Sequence, residues 1–485
     1  MSVTVPGSAG NITVTTGAGD VLHLASQIGA LLGTLKTAGS LQITTDSIPG
    51  AVPAPAPRSP SQTTTELVLT GAGPVNSSIP SGYNYVVNVL TTPAVLSGSD
   101  VAFIGDTVGS SYTISGTSTV AATGGNNTIS ANGNYLISTG LDTGSNKISA
   151  SGFGMVAAGP GANIINVSGS NLVESIGRDT ITAAAGSNRI LSSGANTAIF
   201  GSAGGINALT ITASGNFATI AGGSSSASIT ATGANDLFVN GSGSSNINIS
   251  GTSDTILGGS GSDTVTSTGM STNLIFGGTG NLTYIGGSGL GFILGAPGGT
   301  ENIAPGSGGV ILATGSSNAS TITAGPAVTT IFGSAGSSAT YVGNRAGVIF
   351  LAGAGNETLN AAASSGADTL IGGSSHGSPS LVGGSGSNVF FPGNGSATMV
   401  GGSGTNLFAF FNTATGGHDY ISNFNSALDA VYILHYAPTG SASALQNAAA
   451  VGANGVTLTL SDATQITFTN LTSAAQLNGR ILYAA

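Results

Sequence analysis

The sequence predicts an all-β chain built as a parallel β-roll or β-solenoid, with about two strands per coil, one N-terminal helix and a C-terminal β cap. Three observations lead there. Residues 258–266 read Gly258-Gly259-Ser260-Gly261-Ser262-Asp263-Thr264-Val265-Thr266, a complete GGxGxDxUx nonapeptide. Such a unit is a glycine-rich turn, whose backbone carbonyls and one carboxylate can hold a hard cation, followed by a short strand with its central apolar residue pointing inward. Degraded copies surround it, including Asn127-Thr-Ile-Ser, Asn146-Lys-Ile-Ser, Asp179-Thr-Ile-Thr, Asn246-Ile-Asn-Ile and Asn273-Leu-Ile-Phe. Their starts fall mostly about eight to ten residues apart, which suits a five-residue strand plus a four-residue turn and not the three- and four-residue steps of a helix. Finally, glycine supplies 81 of 485 residues and is interleaved with Ile, Val, Leu and Phe, so each repeat has something to bury and the chain reads as ordered. Fixing one coil of about eighteen residues costs roughly 18 to 36 kcal/mol of backbone entropy. Half a dozen inward aliphatics at about 2 kcal/mol each fall short of that, so stacked neighbours must supply the rest through a shared core.

Taken in chain order, residues 1–48 hold a strand and an amphipathic helix. Val21, Leu24, Ile28, Leu31, Leu32 and Leu35 recur at helical spacing, with Asp20 as the expected N-cap and Gly39 as the stop. The helix is expected to cap the open end of the solenoid, with docking of another copy or a surface partner as the alternative. Residues 49–65, with Pro49, Pro53, Pro55, Pro57 and Pro60, read as a stiff extended linker. The solenoid is assigned to residues 66–404. Residues 405–485 carry stronger alternating strands, such as Ala430-Val-Tyr-Ile-Leu and Gly455-Val-Thr-Leu-Thr-Leu, with a helix expected near residues 444–450. They read as a cap, because an uncapped solenoid exposes a strand edge.

Charge excludes several functions. Seven basic against seventeen acidic residues give a net charge of -10, and no basic stripe can track phosphates, so nucleic acid is not an expected partner. No run of eighteen apolar residues occurs, so no transmembrane segment is expected. There is no cysteine, in keeping with an oxidising exterior. The start Met1-Ser-Val-Thr-Val-Pro-Gly lacks the basic and apolar parts of a secretory signal, so export is expected to be directed from elsewhere. No GxSxG elbow, GxxxxGK[ST] loop or HExxH pair is found, and His23, His376, His418 and His435 are scattered. The chain reads as no enzyme.

The nonapeptide at residues 258–266, the partial copies beginning at Gly277, Gly286, Gly383 and Gly401, and the segment Gly416-Gly-His-Asp-Tyr-Ile-Ser-Asn-Phe resemble bacterial RTX (haemolysin-type calcium-binding repeat) proteins. That resemblance implies a right-handed β-roll, type I secretion through an uncleaved C-terminal signal in the last 67 residues or so, an extracellular or cell-surface location, and folding on calcium. It directs attention to Gly258, Gly259, Gly261, Asp263 and Asp419 as the metal-binding residues. The departures are equally informative. The aspartate position of the motif holds Asn388, Asn406 and Leu282 in other copies. A calcium ion shared between coils needs good ligands about eighteen residues apart. Asp263 is followed at that distance by Leu282, and Asn388 by Asn406. Two neutral amides make a weak site, so Ca2+ is expected at few places. Elsewhere, stacked asparagines are expected to form ladders that need no ion.

The residues flanking the inward aliphatic are often hydroxylated, as at Thr180 and Thr182, Thr210 and Thr212, Thr264 and Thr266, and Thr321 and Thr323, and alternation puts each pair outside. With charged residues at only 5%, against about a quarter in an ordinary soluble domain, such faces tolerate close contact with another copy. The sequence therefore predicts a secreted structural protein that self-assembles into a surface layer, filament or matrix coat, with cell-surface or matrix polysaccharide as a further partner. The alternative is a monomeric adhesin that holds carbohydrate or ice on a flat Thr-rich face.

Overall fold

The computed structural model describes the chain apart from residues 1, 6–11, 16–22, 48–49, 74, 106–107, 142, 203–207, 271, 317, 324, 343–345, 374–376, 413–415, 437–440 and 485. Asp20 and Val21 thus lie outside the described residues. Contacts divide the chain into two units, residues 1–245 and 246–485. Each is a parallel β-solenoid, as the repeat spacing predicts, and each is described by itself.

In the first unit the coil begins earlier than the sequence reading placed it. Leu41–Ser47 pairs in parallel with Thr64–Thr70, so residues 50–63, read in sequence as a linker, form the return leg of a coil. They also carry contacts of their own: Tyr83 Oη donates to the Pro53 carbonyl at 3.0 Å, Gln42 Nε2 donates to the Ala56 carbonyl at 3.1 Å, and Val52 is buried. Four long strands follow, Ser111–Ala122, Thr128–Ser138, Lys147–Ala158 and Ile164–Ser175. Each is two legs of a coil joined at a glycine corner. Gly116, Gly133, Gly152 and Gly169 stand side by side in register with φ of 66°, 112°, 115° and 102°, a region that L side chains rarely adopt. A two-legged strand with period-two alternation buries one column per leg. One column is Ile129, Ile148 and Ile165; the other is Val120, Ile137, Val156 and Val173, nearly all fully buried.

Helix α1, Leu24–Thr37, ends at Gly39 as expected. Gly39 has φ of 68°, its N–H reaches the Lys36 carbonyl at 3.1 Å, and the Ser40 N–H reaches the Leu35 carbonyl at 3.0 Å. This is the paired-bond stop that a left-handed residue allows. Its start is at His23, with no side-chain cap. The helix does not serve as an end plug. Leu24, Ile28 and Leu32 lie across an outer column of successive coils, Tyr85, Ala102, Thr119, Leu136 and Met155, and pack on its apolar members. Fourteen residues of helix run about 21 Å, and four coil steps at about 4.8 Å run about 19 Å. The fit is one of length as well as of polarity: this outward column is apolar but for Thr119, and the helix is what covers it.

In the second unit, alternate strands form two parallel stacks. The first contains Thr255–Leu257, Asn273–Phe276, Gly291–Leu294, Val310–Ala313, Thr329–Phe332, Val348–Leu351, Thr369–Ile371, Asn388–Phe391 and Asn406–Phe411. The second contains Asp263–Ser267, Leu282–Ile285, Thr300–Ala304, Ala319–Thr323, Ser338–Val342 and the strands that follow to His418–Ser422. The inward column of the first stack runs Ile275, Ile293, Leu312, Ile331, Phe350 and Leu370, each 1% exposed or less. Towards its C-terminal end the core becomes aromatic. Phe390 stacks on Phe408 at 4.8 Å between ring centroids, and Phe424 meets Phe468 edge-on at 5.0 Å.

The cap changes strand direction. Gln465–Phe468 continues the second stack in parallel beside His418–Ser422, and on its other side pairs antiparallel with Gly455–Thr459. A short helix α2, Ala442–Asn447, lies close to the expected place, with Ser441 Oγ accepting from the Ala444 N–H.

Candidate functional site

Gly258, Gly259, Gly261 and Asp263 form one turn, as the nonapeptide requires. Asp263 is buried, and its Oδ2 accepts from the Gly259 N–H at 3.2 Å, so the carboxylate folds back on its own turn. The Gly258 N–H donates to the Phe276 carbonyl at 2.8 Å, and the Gly259 carbonyl accepts from the Gly280 N–H at 3.3 Å. Leu282 stands beside Asp263 in register, as the spacing implied, and offers no ligand. Asp419 is not brought to this turn. It sits in His418–Ser422, eight strand steps further along the second stack, about 38 Å at the usual spacing.

Asp419 lines a cavity of about 390 Å³ together with Phe391, Phe410, Phe411, Tyr436 and Thr464. Its Oδ1 accepts from the Ala397 N–H at 2.8 Å. Burial pushes its pKa up to about 7; the hydrogen bond from Ala397 opposes this and the charge of Asp462 adds to it. Burial also raises Tyr436, and Asp462 and Asp419 act in the same direction. Among the described residues, no three His, Cys, Asp or Glu side chains come together in a group that could share a metal ion. His418 spends its ring nitrogens on Thr467 Oγ1 at 2.8 Å and Tyr420 Oη at 3.2 Å.

The strongest use of the turn residues is the amide ladder. In the first unit, Asn127 Nδ2 donates to Asn146 Oδ1 at 3.0 Å, Asn146 to Asn163 at 2.9 Å, and Asn163 to Asp179 at 2.8 Å. The same oxygens also accept the backbone N–H of the preceding member, as when Asn146 Oδ1 takes the Asn127 N–H at 2.9 Å. In the second unit Asn388 donates to Asn406 at 2.8 Å and Asn406 to Asp429 at 2.9 Å. Asp179 additionally accepts from Ser175 Oγ at 2.7 Å, and Asp429 from the Asn425 N–H at 2.7 Å. Burial raises the pKa of both carboxyls against these donors. The neutral pair Asn388 and Asn406 is therefore a hydrogen-bonded link. Asp179 was read in sequence only as the start of a repeat and Asp429 was not singled out; their signal was an Asn or Asp just before each strand, at coil spacing.

The second unit also presents two outer faces, one largely apolar and one mixed, in which exposed Ile285 and Val342 stand in the column beside the polar one. On the second stack, Thr264, Thr283, Asn302, Thr321, Thr340 and Asn360 stand in register and point outward. On the first stack the outward columns are apolar. One contains Leu274, Phe292, Ile311, Ile349 and Val389, interrupted by Thr330 and Thr369. The other contains Phe276, Leu294, Phe332, Leu351, Ile371 and Phe391, interrupted by Ala313. Leu294 is 42% exposed, Phe332 44% and Ile349 36%.

Comparison with known proteins found no matching family model, no matching curated protein and no matching solved structure. Among the described residues, no helix is long and apolar enough to cross a membrane.

Proposed function

We propose that the chain is a secreted bacterial structural protein that assembles with copies of itself into an extracellular layer, filament or matrix coat, without catalysis. The observation that carries this reading is that, among the described residues, the outward columns of the second unit hold no ionisable side chain from Thr255–Leu257 to Asn388–Phe391 on one stack and from Asp263–Ser267 to Ser380–Val382 on the other. Ordinary domains keep monomeric by charge; these faces have nothing to repel a copy. The resemblance to RTX proteins supports export by a type I route and a place on or outside a bacterial cell, where matrix polysaccharide is a further partner. Calcium enters this reading at few turns, first that of Gly258, Gly259, Gly261 and Asp263 and then Asp419, because amide ladders hold much of the rest.

A second reading rests on the hydroxyl column from Thr264 to Thr340: a monomeric adhesin that holds carbohydrate or ice on that face. Negative-stain electron microscopy of the purified protein, dialysed against chelator and then against millimolar calcium, separates the two. Filaments or sheets in either condition support self-assembly, and their calcium dependence tests the Asp263 turn. Dispersed single particles in both would overturn it in favour of the adhesin.

A further inference from the structure

We propose that the apolar face of the second unit, centred on Ile311 and Phe332, pairs with the same face of a second copy. This rests on the self-assembly reading and names the surface that carries it.

Cost is the first consideration. A soluble protein rarely leaves a contiguous apolar patch of more than a few hundred Å² facing water. This same chain covers one such column when it has one: Tyr85, Ala102, Leu136 and Met155 lie under α1. The columns of Phe292, Ile311 and Ile349, and of Leu294, Phe332 and Leu351, have no described helix packed over them, and several members keep more than a third of their surface.

Area is the second. Eight strands, from Thr255–Leu257 to Asn388–Phe391, at about 4.8 Å each and about 13 Å wide give a footprint of about 500 Å² per copy. A face-to-face pair therefore removes about 1,000 Å², the threshold for a biological interface and the size of a weak, concentration-dependent one.

Pattern is the third. The small residues in the outward columns of the eight strands are Thr255, Ala313, Thr330 and Thr369. Under a two-fold axis parallel to the strands, between Ile311 and Thr330, these meet Val389, Phe332, Ile311 and Leu274 of the second copy. With the axis along the stack they meet Leu257, Ile311, Phe332 and Ile371. Either way each dip receives a large side chain, and no charge is buried. A homodimeric interface is commonly isologous and apolar, and two sheets pack face to face at about 10 Å.

The test is sedimentation of the full chain over a concentration series. Ile311→Lys places a charge in the centre of the face, while the long lysine stem lets the isolated molecule stay folded. The paired change Phe332→Thr with Ile349→Thr keeps good strand formers and removes apolar surface without adding charge. Thr321→Lys, on the hydroxyl face, is the control. Far-UV circular dichroism and melting confirm that each variant is folded. Both apolar-face variants are expected to weaken association by about tenfold or more, a change of about 1.4 kcal/mol, and the control to leave it unchanged. If the wild type associates and the apolar-face variants associate equally well, the face is not the interface and self-assembly stands on another surface. If the wild type is monomeric at every concentration, with and without calcium, self-assembly and this interface fail together. A monomeric wild type that floats with phosphatidylcholine vesicles would overturn the pairing and assign the face to lipid.

Discussion

Asp419→Asn is expected to stabilise the protein at pH 8 and to leave it nearly unchanged at pH 4. The side chain is 2% exposed, accepts a hydrogen bond from Ala397, and has its pKa pushed from 3.8 to about 7. An acid whose folded pKa is raised binds its proton more tightly in the native state than in the unfolded chain. The native state is therefore favoured in full below about 3.8. That advantage is lost as pH rises towards 7, and nothing further changes above it. A rise of about 3 units at about 1.36 kcal/mol each gives about 4 kcal/mol as the upper size of the effect. Asparagine keeps the acceptor that Ala397 needs, cannot ionise, and is the residue that the chain itself uses in its ladders. Urea unfolding at pH 4, 6 and 8 in chelator reads the difference between wild type and variant. The two should converge at pH 4, with the variant ahead by about 2 to 4 kcal/mol at pH 8. A wild type that gains on the variant as pH rises would refute the reasoning. Repeating the pH 8 series in millimolar calcium adds a test of the metal reading: stabilisation of the wild type alone means that Asp419 holds the ion.

Gly133→Ala puts a Cβ 2.5 Å from the Gly116 carbonyl oxygen at a φ of 112°, so about 3 kcal/mol of stability should be lost; Gly29→Ala, in open space on α1, should gain about 0.5 to 1 kcal/mol, both read by urea midpoints. Asn146→Ala leaves the buried Asn127 N–H without its acceptor and Asn127 Nδ2 with the Gly124 and Gly125 carbonyls, which should cost about 1 to 3 kcal/mol in the same assay. Ile28→Asp should lift α1 from Tyr85, Leu136 and Met155, raising binding of a hydrophobic dye while the far-UV strand signal persists; unchanged dye binding would sink that account of the helix.

Much of the fold was legible because strand and turn are local: a nine-residue unit with one inward aliphatic announces its period whichever coil it joins. The register of Asn388 beside Asn406, and of Asp263 beside Leu282, follows from counting residues per coil. The placement of α1 did not follow, although its apolar stripe was plain. An amphipathic helix states only that one side is covered; what it covers depended on Tyr85, Ala102, Leu136 and Met155 falling into one outward column, which needs the register of several coils at once. The Pro-rich segment misled for a related reason. Proline forbids ladder bonds, so residues 49–65 look like a tether, yet the described part of this leg is held by other contacts, the Pro53 and Ala56 carbonyls and the buried Val52, and loses little by lacking them.

The amide ladders explain the place of two of the buried carboxylates, Asp179 and Asp429. Each asparagine uses its Oδ1 for the member before it and its Nδ2 for the member after it, so a ladder has a direction. The last member must accept and has nothing further to donate to. A carboxylate meets that requirement, and Asp179 and Asp429 stand in that position, each with three donors turned towards it: the Asn163 N–H, Asn163 Nδ2 and Ser175 Oγ for the one, the Asn406 N–H, Asn406 Nδ2 and Asn425 N–H for the other. A terminal asparagine would leave an N–H orphaned in the core, at a cost of about 1 to 3 kcal/mol. Aspartates before strands therefore read in two ways that the sequence motif alone cannot separate. At Asp263 the carboxylate closes its own turn, while at Asp179 and Asp429 it ends a chain of amides. A cation would compete with those donors; at Asp419 it would meet the Ala397 N–H, and at Asp263 the Gly259 N–H.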